Sequence, residues 1–217
     1  MGSGVVAERR AFQGLREQGD IMSTLKMPIE TERLVLRPFE KEDIESVMGY
    51  HRLPEVQRYL DWKIRDKVDV IAALEAMRSQ ITLQRPGDTL SLAVVRKAGD
   101  VLVGQVSLRW VDATAGQGEI RFVFNPDYRG KGLASEAVRR LIDIAFEDFN
   151  IHRIFARCDA RNSRSARLMT RLGMRLEAHY REHALFQGEW DEELHFAILD
   201  REWQRSSKVR ELTHRVA

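Results

Sequence analysis

Between Glu119 and Cys158 the chain reads as a strand, a glycine-rich turn, a long amphipathic helix and a second strand. No other stretch constrains the fold as much. Two strands joined by a helix of this length lie parallel, with a right-handed crossover. Ile120, Phe122 and Phe124 alternate with Glu119, Arg121 and Val123, the period of a strand with two unlike faces. Ala134, Ala137, Val138, Leu141, Ile142, Ala145 and Phe149 then recur at helical spacing and form one apolar stripe. Ile154, Ala156 and Cys158 mark the following strand. The turn itself is Arg129-Gly130-Lys131-Gly132-Leu133-Ala134. A glycine-rich turn that opens a helix offers unused backbone N–H groups and the positive end of the helix dipole, a site for phosphate oxygens. Its spacing is neither Gly-x-x-x-x-Gly-Lys-Ser/Thr nor Gly-x-Gly-x-x-Gly. The lysine follows the wrong glycine, so a nucleotide-binding loop is a poor reading.

The flanks read in order. Leu34 to Pro38 is a first strand. Glu42 to Arg52 is a helix interrupted by Pro54, and a linker with Tyr59, Leu60 and Trp62 follows. Asp66 caps a second helix carrying Val70, Leu74, Met77 and Ile81. Leu90, Leu92 and Val94, then Val106, Leu108 and Trp110, form a hairpin about the turn Ala98-Gly99-Asp100. In the second strand Gln105, Ser107 and Arg109 alternate with the apolar residues. Asn162 and Ser163 cap a fourth helix that stops at Gly173. Strands near Met174–Tyr180 and Glu193–Leu199 follow, with Gln187-Gly188 between them, and a short helix starts at Asp200. The expected division is a flexible extension over 1–28, one α/β domain over 29–203 and a charged tail over 204–217.

Composition narrows the function classes. The chain has 217 residues with 31% charged, yet the net charge is only +2, so nothing global points to nucleic acid. A lone cysteine, Cys158, excludes an internal disulfide and fits a cytoplasmic protein. No apolar run suits a membrane span, so no membrane partner is expected. His179, His183 and His195 lack metal-ligand spacing, and no metal site is expected.

Four segments in order resemble one known family: Thr31 to Pro38, the Arg129–Ala134 turn, Asn162 to Met174, and Gly188-Glu189-Trp190-Asp191 with the strand after it. They are similar to the GCN5-related N-acetyltransferases, whose loop is usually Gln/Arg-x-x-Gly-x-Gly/Ala. They look most like the subgroup containing the ribosomal-protein N-terminal (alanine) acetyltransferases. The resemblance implies a mixed seven-stranded sheet with about four helices. It also implies acetyl-CoA as co-substrate and an amine acceptor, either a protein N-terminus or a small amine. Dimers are common in such proteins, so a homodimer is in keeping with it.

The resemblance also assigns roles. Arg129, Gly130, Lys131, Gly132, Leu133 and Ala134 would hold the pyrophosphate. Phe122, Val123 and Phe124 would face the thioester across a bulge between the two parallel strands. Glu119 is the candidate general base, with a surface glutamate paired to Arg121 or Arg109 as the structural alternative. Many relatives carry a tyrosine seven residues after the Asn162 position to protonate the leaving thiolate. Met169 stands there and cannot donate a proton, and Ser165 is the nearest replacement. Asn162 would bind the cofactor arm or simply cap its helix. Tyr59, Trp62 and Asp191 would line the acceptor site, or else serve structure. Cys158 as an acyl-enzyme nucleophile is disfavoured by its place in an apolar alternation. The rival reading is a non-catalytic acyl-CoA-binding regulator on the same fold.

Overall fold

The computed structural model describes residues 25–60, 67–186 and 188–206. Most of the expected N-terminal extension, Trp62, the cap Asp66, Gln187 and residues 207–217 of the tail lie outside the described residues.

One eight-stranded sheet organises the chain. Its strands are β1 (Ile29–Glu30), β2 (Leu34–Arg37), β3 (Thr89–Arg96), β4 (Val101–Asp112), β5 (Gln117–Phe124), β6 (Arg153–Asp159), β7 (Arg175–Phe186) and β8 (Glu189–Leu199). They lie in the order β1-β2-β3-β4-β5-β6-β8-β7. The sequence indicated seven strands. The extra one is β1, whose two residues are too few to show an alternation. The last hairpin is longer than expected, because β7 runs on through polar residues to Phe186 and β8 begins at Glu189.

The helices are α1 (Ile44–His51), α2 (Pro54–Gln57), α3 (Lys67–Ser79), α4 (Leu133–Glu147) and α5 (Ser163–Arg171), and residues 200–206 are also helical. The 200–206 helix is the short one expected from Asp200, and α2 is the helix beyond the four expected before it. Pro54 begins α2 instead of ending α1 in a linker, since its fixed φ and missing N–H suit a first helical turn. Ile81 is not on α3, which stops at Ser79. It pairs with Leu90 as an isolated bridge and is 48% exposed.

α4 and α5 cover one face of the sheet. Ala137, Val138, Leu141, Ile142, Ile144 and Ala145 are fully buried there against Leu108, Ile120 and Ile154. Burying one such leucine or isoleucine contributes roughly 1.5–3 kcal/mol. Trp203 closes this layer, its indole Nε1 donating to Asp143 Oδ1 at 2.7 Å. α1 and α3 cover the other face through Val47, Tyr50, Val70, Leu74 and Met77 packed on Ala93.

β5 and β6 are parallel, as the crossover requires, but they pair only at Gln117↔Arg153, Gly118↔Ile154 and Glu119↔Phe155. β5 then keeps its ladder with β4 out to Phe124, while β6 follows β8. The two strands therefore separate beyond Glu119 and leave a slot through the sheet.

Candidate active site

The slot lies between backbone groups of fixed direction. The Asn125 N–H donates to Val103 O at 2.9 Å on the β4 side. Alternation along an antiparallel strand then turns the N–H groups of Phe122 and Phe124 the other way, into the slot. Gly104 is opposite Phe124 for a steric reason: a Cβ there would lie 2.5 Å from Phe124 Cδ1 and 2.6 Å from Val123 O.

A cleft of about 430 Å³ opens on the α4 side. Phe122, Val123, Phe124, Arg129, Gly130, Gly132, Leu133, Ala134, Asn162 and Ser165 line it. Gly130 and Gly132 adopt φ of +73° and +77°, a left-handed turn that glycine makes without strain. Gly132 is the N-cap of α4 and has no side chain to cap it, so the N–H groups of the first turn stay available. Arg33 fixes this turn from the residue just before β2. Its Nη1 donates to Lys131 O at 2.8 Å, and its Nε and backbone N–H bind Glu136 at 2.7 and 2.8 Å. Thr31 Oγ1 adds a further donor to Glu136 at 2.6 Å. Burial pushes the Glu136 carboxyl up, but these bonds outweigh it and hold it below the usual glutamate range.

Lys131 does not line the cleft. Its ammonium sits 5.4 Å from the Tyr128 ring centre. Arg129 does line it and is ion-paired with Glu55, which also lies 3.6 Å from Arg164. Glu55 is on α2, so α2 spans the cleft mouth between the α4 loop and α5. Tyr59 continues the span, its hydroxyl donating to Arg161 O at 3.4 Å.

A second cleft, about 590 Å³, opens on the α1/α3 face. Gln105, Ser107, Arg109, Glu119, Arg121, Arg157, Cys158, Asp159, Asp191 and Glu193 are among its lining residues. The two clefts share Tyr59, Leu60, Phe122, Val123, Asn162 and Ser165, so they meet at the slot.

Glu119 is not a surface residue: it is 3% exposed. Arg121 Nε reaches its Oε1 at 3.1 Å, and Arg157 Nε and Nη2 reach the same oxygen at 2.9 Å. The guanidiniums thus take Oε1 and leave Oε2. Asn162 caps α5, its Oδ1 accepting from the Ser165 N–H at 3.2 Å, while the residue also lines both clefts. The capping and cleft readings therefore hold together. Met169 is fully buried in the α4-side core and lines neither cleft. Asp191 lies within β8 opposite Ala184, not in a loop. Burial first, then the Asp159 carboxylate, pushes its carboxyl up. The Cys158 thiol is pushed up to about 12 by burial, with Asp159 and Glu193 adding to it, which leaves no thiolate to act as nucleophile.

Glu55, Gln105 and Arg157 were not singled out from sequence. The polar side of β4, Gln105-x-Ser107-x-Arg109, was the available signal, since a polar row in the middle of a sheet must face something other than core. Glu55 carried no such signal.

A sheet slot beside an uncapped helix start on one face thus opens to an acid-bearing cleft on the other, the layout of a group-transfer enzyme. The model of the acetyltransferase (GNAT) domain matches residues 33–175, and the chain belongs to that family of N-acetyltransferases. It is 32% identical over 177 residues, 82% of this chain and 99% of the other, to the uncharacterized N-acetyltransferase YnaD of Bacillus subtilis (strain 168). It is 22% identical to spermidine N(1)-acetyltransferase of Escherichia coli (strain K12), over 80% of this chain and 90% of that one. A crystal structure of a GNAT-family acetyltransferase from Bacillus anthracis superposes with a TM-score of 0.72 at 30% identity, covering 81% of this chain and 99% of that one. No helix among the described residues is long and apolar enough to cross a membrane.

Proposed function

We propose that the protein transfers an acetyl group from acetyl-CoA directly to a primary amine, with both substrates bound at once. The observation that carries this reading is the meeting of the two clefts at Phe122, Val123, Asn162 and Ser165. Direct transfer needs one place that both an acyl donor and an amine can reach from opposite sides, and the slot is that place.

The residues fit the donor. The turn at Gly130 and Gly132 with the first amides of α4 would hold the pyrophosphate. Arg129 would add charge there by exchanging Glu55 for a phosphate oxygen. Acetyl-CoA supplies an activated acetyl group as its thioester. The Phe122 and Phe124 N–H groups would hold the carbonyl oxygen as negative charge develops on it.

On the acceptor side, Glu119 Oε2 would take the proton of the incoming amine, directly or through water, while Arg121 and Arg157 hold Oε1 in place. The Ser165 hydroxyl at the junction would donate to the departing thiolate.

The test is thiol release from acetyl-CoA in the presence of short peptides with free N-termini and of polyamines, with the acetylated product read by mass. Acetylation of an amine, with thiol release that needs that amine, supports the reading. Tight acetyl-CoA binding with no transfer to any amine would leave a cofactor-binding protein and sink it.

A further inference from the structure

Gln105 is directly opposite Val123 in the β4–β5 ladder, so their side chains share the face that opens to the second cleft. Its amide is not free to turn. Oε1 accepts from the Tyr50 hydroxyl at 2.8 Å, and His51 Nε2 lies 2.8 Å from the same oxygen, donating to it in the Nε2–H tautomer. Both partners come from α1 and are buried, at 1% and 0% exposure. Burial holds the His51 ring below the usual histidine range, partly opposed by this hydrogen bond. With the carbonyl oxygen held by the Tyr50 hydroxyl and flanked by His51, the NH₂ end is what the Gln105 amide has left for the cleft.

The rest of that bank is donor-rich. Ser107 and Arg109 follow Gln105 at two-residue intervals along the same face, and Arg121 stands opposite Ser107. Among the described residues Arg109 has no ion pair. The far bank, on β6 and β8, carries acids. Asp159 is paired to Arg161 at 2.7 Å and Glu193 to His195 at 2.5 Å, while Asp191 has no ion pair among the described residues. Glu119 stands between the banks.

From this layout we propose that Gln105 is a specificity-determining residue, its amide NH₂ binding the carbonyl oxygen of an α-aminoacyl acceptor. The inference rests on the acetyltransferase reading and adds the acceptor class to it. An α-aminoacyl group places its carbonyl oxygen three bonds from the amine nitrogen. The amine then lies toward Glu119 and the acid bank, and the oxygen toward Gln105. A charged polyamine has only donors, and would set ammonium groups against the Gln105 NH₂, Arg109 and Arg121. A site built to bond a substrate oxygen rejects the analogue that lacks it, because its own buried polar groups are then left unmatched.

The experiment compares three acceptors in steady state with acetyl-CoA: short peptides varied at the first residue, the same peptides with CH₂ in place of the first carbonyl, and spermidine. Gln105→Glu is the informative variant. It keeps an oxygen acceptor for Tyr50 and His51, so the α1 contact survives, and it removes the NH₂ donor. Gln105→Met serves as a second variant, with the melting temperature of each recorded. The wild type should favour the carbonyl peptide over its reduced analogue by about tenfold or more in kcat/KM. Gln105→Glu should abolish that preference, chiefly by raising the peptide KM, with the acetyl-CoA KM unchanged. An unchanged preference in both variants, or a wild type indifferent to the carbonyl, would overturn the proposal. So would spermidine turnover with the peptides inert. Failure of all three acceptors with acetyl-CoA bound would instead overturn acetyl transfer itself, and this inference with it.

Discussion

Arg33 grips both carboxylate oxygens of Glu136, Nε on Oε2 at 2.7 Å and the backbone N–H on Oε1 at 2.8 Å. The pair joins the residue just before β2 to the first turn of α4, and the same guanidinium holds the Lys131 carbonyl oxygen. The glycine turn is thereby positioned by a residue about a hundred positions away in the chain. Arg33→Ala should weaken coenzyme A binding several-fold in a calorimetric titration. Because the arginine is 45% exposed, the stability loss should be only about 1 kcal/mol. Unchanged affinity in the folded variant would show that the turn holds its shape alone.

The same pair gives a sign for acid sensitivity. Glu136 has a folded-state pKa below its ordinary 4.5, so the unfolded chain binds the proton more readily. The stabilisation is complete above the ordinary value and is lost as pH falls through the folded one. Urea midpoints of wild type and Glu136→Gln should therefore converge as pH drops below about 4.5. A gap that stays constant down to acid unfolding would contradict this.

His51 carries the opposite kind of group. Its folded pKa lies below the ordinary 6.5, so the neutral ring is favoured in the fold and protonation favours the unfolded chain. Stability should rise with pH up to about 6.5 and level off above it. Replacing His51 with Gln should flatten that portion of the profile in chemical denaturation, and an undiminished slope would assign it elsewhere.

Glu119→Gln should lower kcat at neutral pH by about 10²-fold or more. The KM for acetyl-CoA should hardly move, because Glu119 lines only the second cleft. A near-normal kcat would leave Glu119 as a structural anchor for Arg121 and Arg157.

Gly104→Ala tests how the slot is kept open. The added methyl would meet Phe124 Cδ1 at 2.5 Å and Val123 O at 2.6 Å, and the second of these is backbone that cannot step aside. The β4–β5 ladder must shift where it borders the slot. A fall in melting temperature together with weakened coenzyme A binding is expected, and full retention of both would mean the ladder can move without cost.

Much of this was legible beforehand, for identifiable reasons. The β5–α4–β6 crossover was readable because a period of two gave way to a period near 3.6 across a glycine turn, and both halves were long. Asn162 was readable as a helix cap because side-chain capping is a local event. β1 and α2 were not, since two and four residues carry no periodicity. The length of the last hairpin was hidden because Arg181, Glu182 and His183 are polar on an exposed edge strand. Glu119 was readable as a candidate general base, but its burial was not, and a surface glutamate stood as the alternative. Its burial depends on Arg157, 38 positions away, and no local pattern reports a partner at that distance. Gln105 was visible only as polar, and its fixed amide depends on how α1 packs over the sheet.

The splay of β5 from β6 also divides the molecule mechanically. Three residue pairs, Gln117 to Glu119 against Arg153 to Phe155, with the Gly116 carbonyl accepting from the His152 and Arg153 N–H groups beside them, form the backbone seam between a five-stranded plate and a three-stranded one. The amides at the open end of that seam should exchange with solvent faster when no ligand lies between the plates. A molecule lodged there acts as a rivet, and its arrival should register as slowed hydrogen exchange on Phe122 and Phe124 and as the two plates melting together.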